Sequence, residues 1–129
     1  MLTGCRYLAL VYAISLGIAE AAIHTAQGQW QYAPMWVIDY VIVGYLLVGF
    51  WATRRGRAVP VLMSAYALSA GVMYMAFFLD FDPELPPELR GPPAVVALIG
   101  LAPGVSVLGL IGTTAVWARQ ERAAAAEGR

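Results

Sequence analysis

The sequence predicts an all-α integral membrane protein, an antiparallel bundle of four transmembrane helices with both termini in the cytoplasm. Two observations lead to this fold class: the composition, and a regular alternation of apolar stretches with charged turns. Hydrophobic residues make up 60% of the 129 positions and charged residues 12%, whereas soluble chains average roughly 45–50% and about 25%. So few charges cannot cover a water-soluble fold, but a lipid bilayer removes that requirement.

Four apolar stretches each have close to the ~20 residues that a helix needs to cross about 30 Å of hydrocarbon. They cover about 7–26, 35–53, 58–79 and 93–117, and together they form a single transmembrane domain. Backbone groups in lipid must form hydrogen bonds within their own segment, so each stretch is expected to be a helix. A proline-rich outer loop, 80–93, joins the last two helices, and Pro103 is expected to kink the fourth.

Basic residues indicate the orientation of the bundle. They stand before the first span, between the second and third spans, and after the fourth, as Arg6, Arg54, Arg55, Arg57, Arg119 and Arg122. The two opposite loops contain Arg90 as their single basic residue, among several acidic ones. The positive-inside rule therefore predicts cytoplasmic termini. Because every basic residue is arginine, which is typical of a GC-rich bacterial genome, we expect a multi-pass protein of a bacterial inner membrane.

The unusual polar groups share one depth. Glu20 lies ~10 Å from the outer end of the first span, and His24 follows one helical turn later on the same face. Asp39 lies ~7 Å inside the outer start of the second span, and Asp80 and Asp82 follow the third span at that level. Ionisable groups inside a span are costly and usually mark a functional site. Function is therefore expected in the outer half of the bundle.

These residues are suited to acid–base chemistry on a lipophilic molecule. We expect Glu20 and Asp39 to act as acid and base, with His24 sharing or orienting a proton. Tyr40, Tyr74 and Trp36 are the candidate ligand-binding aromatics, although tyrosines and methionines on the third span are more often packing residues. No metal or cofactor is expected, because a single E-x-x-x-H motif lacks the paired repeat of di-metal bundles.

Two other classes of function stay open, and whether the protein is an enzyme is not decided. One alternative is a proton- or cation-coupled small transporter that acts as a homodimer, with Gly100 and Gly104 as the contact face. The other is an accessory subunit of a larger membrane complex. The expected partners are the lipid bilayer and a small lipophilic ligand. The formal net charge of zero gives no electrostatic basis for nucleic acid binding.

In architecture alone, with no motif matched residue by residue, this layout resembles the EXPERA group of sterol-isomerase-like and sigma-2-receptor-like proteins. The shared features are four helices, cytosolic termini and acidic residues within an apolar region, here Glu20 and Asp39. The resemblance implies that an enzymatic or lipid-binding function is physically compatible with such a bundle.

Overall fold

A computed structural model describes residues 1–27, 33–79, 81–84 and 93–128. Every regular element in these ranges is a helix: α1 (Leu2–Gln27), α2 (Ala33–Ala52), α3 (Val59–Leu79), α4 (Pro93–Glu127) and a 3₁₀ helix at Thr53–Arg55 between α2 and α3. The four α-helices are long and apolar enough to cross a membrane. The prediction of an all-helical chain with four apolar membrane-spanning candidates is therefore confirmed for the described residues.

Two helices extend beyond the apolar stretches of the sequence. α1 begins at Leu2, five residues before the expected start of the first span, and α4 continues ten residues past position 117. The end of α4 contains the alanine run 123–126, whose side chains are exposed. Alanine has the highest intrinsic helix propensity, so this segment stays helical without packing against the bundle.

The helices pack in chain order. α3 and α4 share the most extensive interface, followed by α1 with α2 and α2 with α3, whereas α1 and α4 meet along a much smaller one. Close approach depends on glycine: a Cβ on Gly49 of α2 would lie 2.9 Å from the Leu62 side chain of α3. Small residues at helix contacts are typical of membrane proteins, where packing replaces the hydrophobic driving force between helices.

Three hydrogen bonds fix the connection between α2 and α3. Thr53 is fully buried and its Oγ1 donates to the carbonyl of Gly49 at 2.7 Å. Gly56 adopts a left-handed conformation (φ 71°), and its N–H donates to the Thr53 carbonyl at 3.0 Å. Nε2 of Gln120 in α4 donates to the Gly56 carbonyl at 3.0 Å. The connection is thus fixed to α2 and to α4.

Gly100 and Gly104, the predicted homodimer face, differ in their surroundings. A Cβ on Gly100 would lie 2.7 Å from the Phe77 ring of the same chain, so Gly100 serves a contact between α3 and α4. Gly104 is exposed and has nothing within 4 Å of its Cβ position. The homodimer stays a prediction. So does the kink at Pro103, which lies inside the continuous helix α4.

Candidate functional site

Glu20 and Asp39 belong to two helices that pack against each other, α1 and α2. Both carboxylates are half-buried, and Glu20 acts electrostatically on Asp39. One turn away, Gly17 of α1 packs against Val43 of α2, with 3.8 Å between a Gly17 Cβ position and Val43 Cγ1. A Cβ at Gly17 would make an ordinary van der Waals contact there, so the two helices are packed together at this level. Two of the three acid–base residues expected from the sequence therefore interact electrostatically between α1 and α2.

Several other predicted residues lie partly or wholly outside the described residues. His24 and Trp36 belong to α1 and α2, but their side chains are not among those described. Asp80 and most of the predicted outer loop 80–93 are not described either. Within the loop, residues 81–84 form a turn in which Asp82 Oδ1 accepts a hydrogen bond from the Glu84 N–H at 2.9 Å. The roles expected for His24, Trp36 and Asp80 stay predictions.

A cavity of about 280 Å³ lies between α1 and α4, where those helices have their small interface. On α1 its lining residues are Leu8, Val11, Tyr12, Ser15, Leu16, Ala19 and Glu20. On α4 they are Val95, Leu98, Ile99, Leu101, Ala102 and Val105, and Met73 is the lining residue from α3. We call this space the α1/α4 cavity. Glu20, one member of the Glu20–Asp39 pair, thus borders the apolar α1/α4 cavity.

The α1/α4 cavity follows the helix axes. Its α1 wall extends from Leu8 to Glu20 with spacings of three and four residues, which places these side chains on one helix face. Twelve residues correspond to about 18 Å of helix. Apolar side chains line most of this length, and the polar ones are Tyr12, Ser15 and Glu20, with Glu20 at one end. The cavity is therefore an elongated apolar slot that ends at a carboxylate.

Tyr40 and Tyr74, the predicted aromatic ligand contacts, are not among the lining residues of the α1/α4 cavity. The Tyr40 and Tyr74 side chains are 41% and 57% exposed, and the Tyr74 ring packs against Phe78 at 4.6 Å between centroids. Met73 lines the cavity, and the next residue in a helix points about 100° away. Tyr74 consequently does not share the direction of Met73, and the ligand-binding roles of Tyr40 and Tyr74 stay predictions.

Sequence reasoning missed a cluster of hydroxyl groups beside the cavity. Tyr12 Oη and Ser69 Oγ are 2.9 Å apart, Ser69 Oγ and Ser106 Oγ are 2.9 Å apart, and Ser106 Oγ donates to Tyr12 Oη at 3.3 Å. These buried side chains belong to α1, α3 and α4. Ser106 Oγ is also 2.8 Å from the Ala102 carbonyl. We call these three residues the hydroxyl triad; it joins three helices beside the cavity wall that Tyr12 forms.

Within the described side chains, no group of three or more histidine, cysteine, aspartate or glutamate residues is placed to hold a metal ion. Comparisons with protein-family models, with curated proteins and with solved structures gave no match to this chain. The function proposed below consequently rests on the geometry of the α1/α4 cavity and the Glu20–Asp39 pair.

Proposed function

We propose that this membrane protein binds a small lipophilic ligand in the α1/α4 cavity and holds or transforms the ligand's polar group with Glu20 and Asp39. One observation carries the proposal: an elongated apolar cavity ends at a carboxylate that is electrostatically coupled to a second one. Binding sites for apolar ligands combine a largely hydrophobic lining with a few polar groups that fix orientation. Glu20 is placed to serve as that orienting group.

The bundle that we propose is antiparallel, with both termini on the cytoplasmic side. Contacts between α1 and α2 support this arrangement, because residue numbers rise along one helix as they fall along the other. Near the start of α1, Tyr7 packs on Phe50 with 6.1 Å between ring centroids. Further along, Gly17 meets Val43, and Glu20 acts electrostatically on Asp39. With the arginine-rich turn in the cytoplasm, the carboxylate pair lies in the outer leaflet.

This placement matches the shape of a lipid. A lipophilic tail of up to about 18 Å would lie along α1 from Glu20 towards Leu8, parallel to the lipid tails of the outer leaflet. The small interface of α1 and α4 provides the side entrance, since it is less extensive than the interfaces of α1 with α2, α2 with α3 and α3 with α4. The polar end of the ligand would meet Glu20, ~10 Å inside the outer end of the first span.

The carboxylate pair defines the chemistry available at that end. Two carboxylates in electrostatic contact repel each other, and a proton or a cationic group held between them removes the repulsion. Such a pair can donate a proton to a ligand and accept one from it, as an acid–base enzyme requires. It can also bind a hydroxyl or an amine without further chemistry. His24, one turn beyond Glu20 in α1, is the proposed proton partner.

Retention of lipophilic molecules during purification tests this function. Full-length protein extracted in a mild detergent should carry a lipophilic compound that mass spectrometry detects at a defined ratio to protein. Hydrogen bonds to charged groups are worth roughly 1.5–3 kcal/mol, so Glu20→Gln should lower retention about 10- to 100-fold. Glu84→Gln, in the exposed turn after α3, is the matched control and should retain the compound. Equal retention in both variants would overturn the proposal.

The Glu20–Asp39 pair also favours a proton- or cation-coupled transporter as a second candidate, because a coupled carboxylate pair can carry a proton across a dimer that alternates access. Proteoliposomes loaded with a pH-sensitive dye distinguish the two candidates. A transporter should give a proton flux that Glu20→Gln abolishes, whereas a ligand-binding protein or enzyme should give no flux above that of empty liposomes. An accessory subunit should retain no lipid and should lose stability when purified without its partner.

A further inference from the structure

A second concave site lies at the opposite end of α2 from the carboxylate pair. It has a volume of about 410 Å³ and is lined by Trp51, Ala52, Arg54 and Arg55. The Trp51 side chain is 68% exposed, and both arginines are exposed. We propose that this site binds the phosphate of an anionic membrane lipid, with Trp51 against the upper part of its acyl chains.

The two guanidinium groups have no competing anion in the part of the chain that the structure describes. Among the described residues, no carboxylate forms an ion pair with Arg54 or Arg55, and no acceptor takes a hydrogen bond from either. Arg54 is positioned over the Phe50 ring, 5.9 Å from its centroid, while Arg6 occupies the same ring at 5.0 Å. A guanidinium within about 6 Å of a ring is held by a cation–π interaction. Arg54 is therefore oriented, with its hydrogen-bond donors available for an external anion.

The backbone that carries these arginines is fixed. They lie on the 3₁₀ helix Thr53–Arg55, which the buried Thr53 hydroxyl ties to α2 and the Gln120 amide ties to α4 through Gly56. A rigid support lowers the entropy lost on binding. Arginine also matches phosphate geometry with paired N–H donors, which makes it the preferred residue for planar, two-point recognition.

Trp51 argues for a lipid rather than a soluble anion. It lies in the last turn of α2, three residues before Arg54, and exposes a large indole at the level where the apolar helix ends. Tryptophan at this position is typical of the membrane interface, where its ring contacts acyl chains and its N–H meets headgroups. A soluble phosphate would use the arginines and leave the indole without a role. A phospholipid uses both.

The test is stabilisation of the full-length protein by lipid in detergent micelles. We expect phosphatidylglycerol to raise the melting temperature and phosphatidylcholine to have a much smaller effect. Juxtamembrane arginines contribute about 1 kcal/mol each towards anionic lipid, which is about fivefold in apparent affinity. Arg54→Gln/Arg55→Gln should therefore bind phosphatidylglycerol about 25-fold more weakly. Inorganic phosphate should not stabilise the protein; if it matches phosphatidylglycerol, the site is for a soluble anion and the proposal is wrong.

Two matched variants separate a specific site from general positive charge. Arg119→Gln/Arg122→Gln removes the same charge from exposed positions on α4 that do not line the site, and it should keep most of the lipid response. Equal loss in both double variants would overturn the proposal. If Arg54→Gln/Arg55→Gln fails to insert into the membrane, Trp51→Leu and Arg54→Lys/Arg55→Lys test the site instead, since both preserve every charge. Each should weaken phosphatidylglycerol binding several-fold, and an unchanged affinity in both would contradict the site.

Discussion

The ring of Tyr66 in α3 lies directly against Gly109 of α4, and no space remains between them for a Cβ. Tyr66 is fully buried, and its hydroxyl donates to the Cys5 carbonyl of α1 at 2.8 Å. One side chain therefore connects three helices at the end of the bundle that faces away from the carboxylate pair. The sulfur of Cys5 packs against Gly112, one turn along α4, at 2.6 Å from its Cβ position.

Substitution of Gly109 by alanine should destabilise the bundle. The added methyl group meets a ring that cannot move freely, because the Tyr66 hydroxyl is bonded to α1. Overpacking of this kind costs roughly 1–3 kcal/mol, which thermal unfolding in detergent would show as a lower melting temperature. Gly104→Ala is the control, since nothing lies within 4 Å of its Cβ position. If both variants have the same melting temperature, the Tyr66–Gly109 contact does not constrain the fold.

The hydroxyl triad should stabilise the packing of α1, α3 and α4. Interhelical hydrogen bonds in membrane proteins contribute about 0.6 kcal/mol on average and at most about 1.7 kcal/mol. Ser69→Ala and Ser106→Ala should each lower the free energy of unfolding by about that amount. The double variant should lose less than the sum, because the two serines share one bond at 2.9 Å.

The triad prediction has its control on α1. Ser15 lines the α1/α4 cavity and is exposed, so Ser15→Ala should leave the free energy of unfolding within experimental error of the unsubstituted protein. Two results would show that the triad does not act as a unit. One is a double variant whose loss in the free energy of unfolding equals the sum of the two single losses, and the other is a loss in Ser15→Ala as large as that in Ser69→Ala.

The helical fold was predictable because lipid imposes strong constraints on the sequence. A segment that crosses a bilayer must be long, apolar and internally hydrogen-bonded. The stretches before Arg54 and after Ala58 meet that requirement, and both can be recognised without knowledge of any tertiary contact. Helix ends were less well predicted. α1 includes Leu2 and the polar residues up to Arg6, since a helix can extend past the hydrocarbon wherever nothing terminates it.

The candidate site was predictable only in part. The shared depth of Glu20 and Asp39 follows from counting residues along two helices, and Glu20 acts electrostatically on Asp39. The α1/α4 cavity and the hydroxyl triad depend instead on which helices adjoin and how each is rotated. Tyr12 is 57 residues from Ser69, and no periodicity within one helix reveals such a pair. Polar residues at Tyr12, Ser69 and Ser106, each within an apolar span, were the available signal.

The proposed orientation predicts where both ends of the chain reside. A fluorescent protein fused after Arg129 should be fluorescent and an alkaline phosphatase fused there should be inactive, as expected for a cytoplasmic terminus. The same pair of reporters inserted after Glu84 should give the opposite result. Active phosphatase at the C-terminal fusion would reverse the orientation and move the Glu20–Asp39 pair to the inner leaflet, while leaving the α1/α4 cavity itself unchanged.

Filling the α1/α4 cavity should block ligand retention without damage to the core. Ala19 lines the cavity beside Glu20, so Ala19→Phe places a ring where the proposed ligand lies while the carboxylate pair stays intact. We expect the amount of co-purified lipophilic compound to fall at least tenfold, as measured by mass spectrometry, with little change in melting temperature. Ala67→Phe, on the exposed face of α3, adds the same ring outside the cavity and should retain the compound. If Ala19→Phe and Ala67→Phe retain equal amounts, the ligand binds elsewhere, whatever the effect of Glu20→Gln. Loss in Ala19→Phe alone would show that the apolar cavity, and not only its terminal carboxylate, is the binding site.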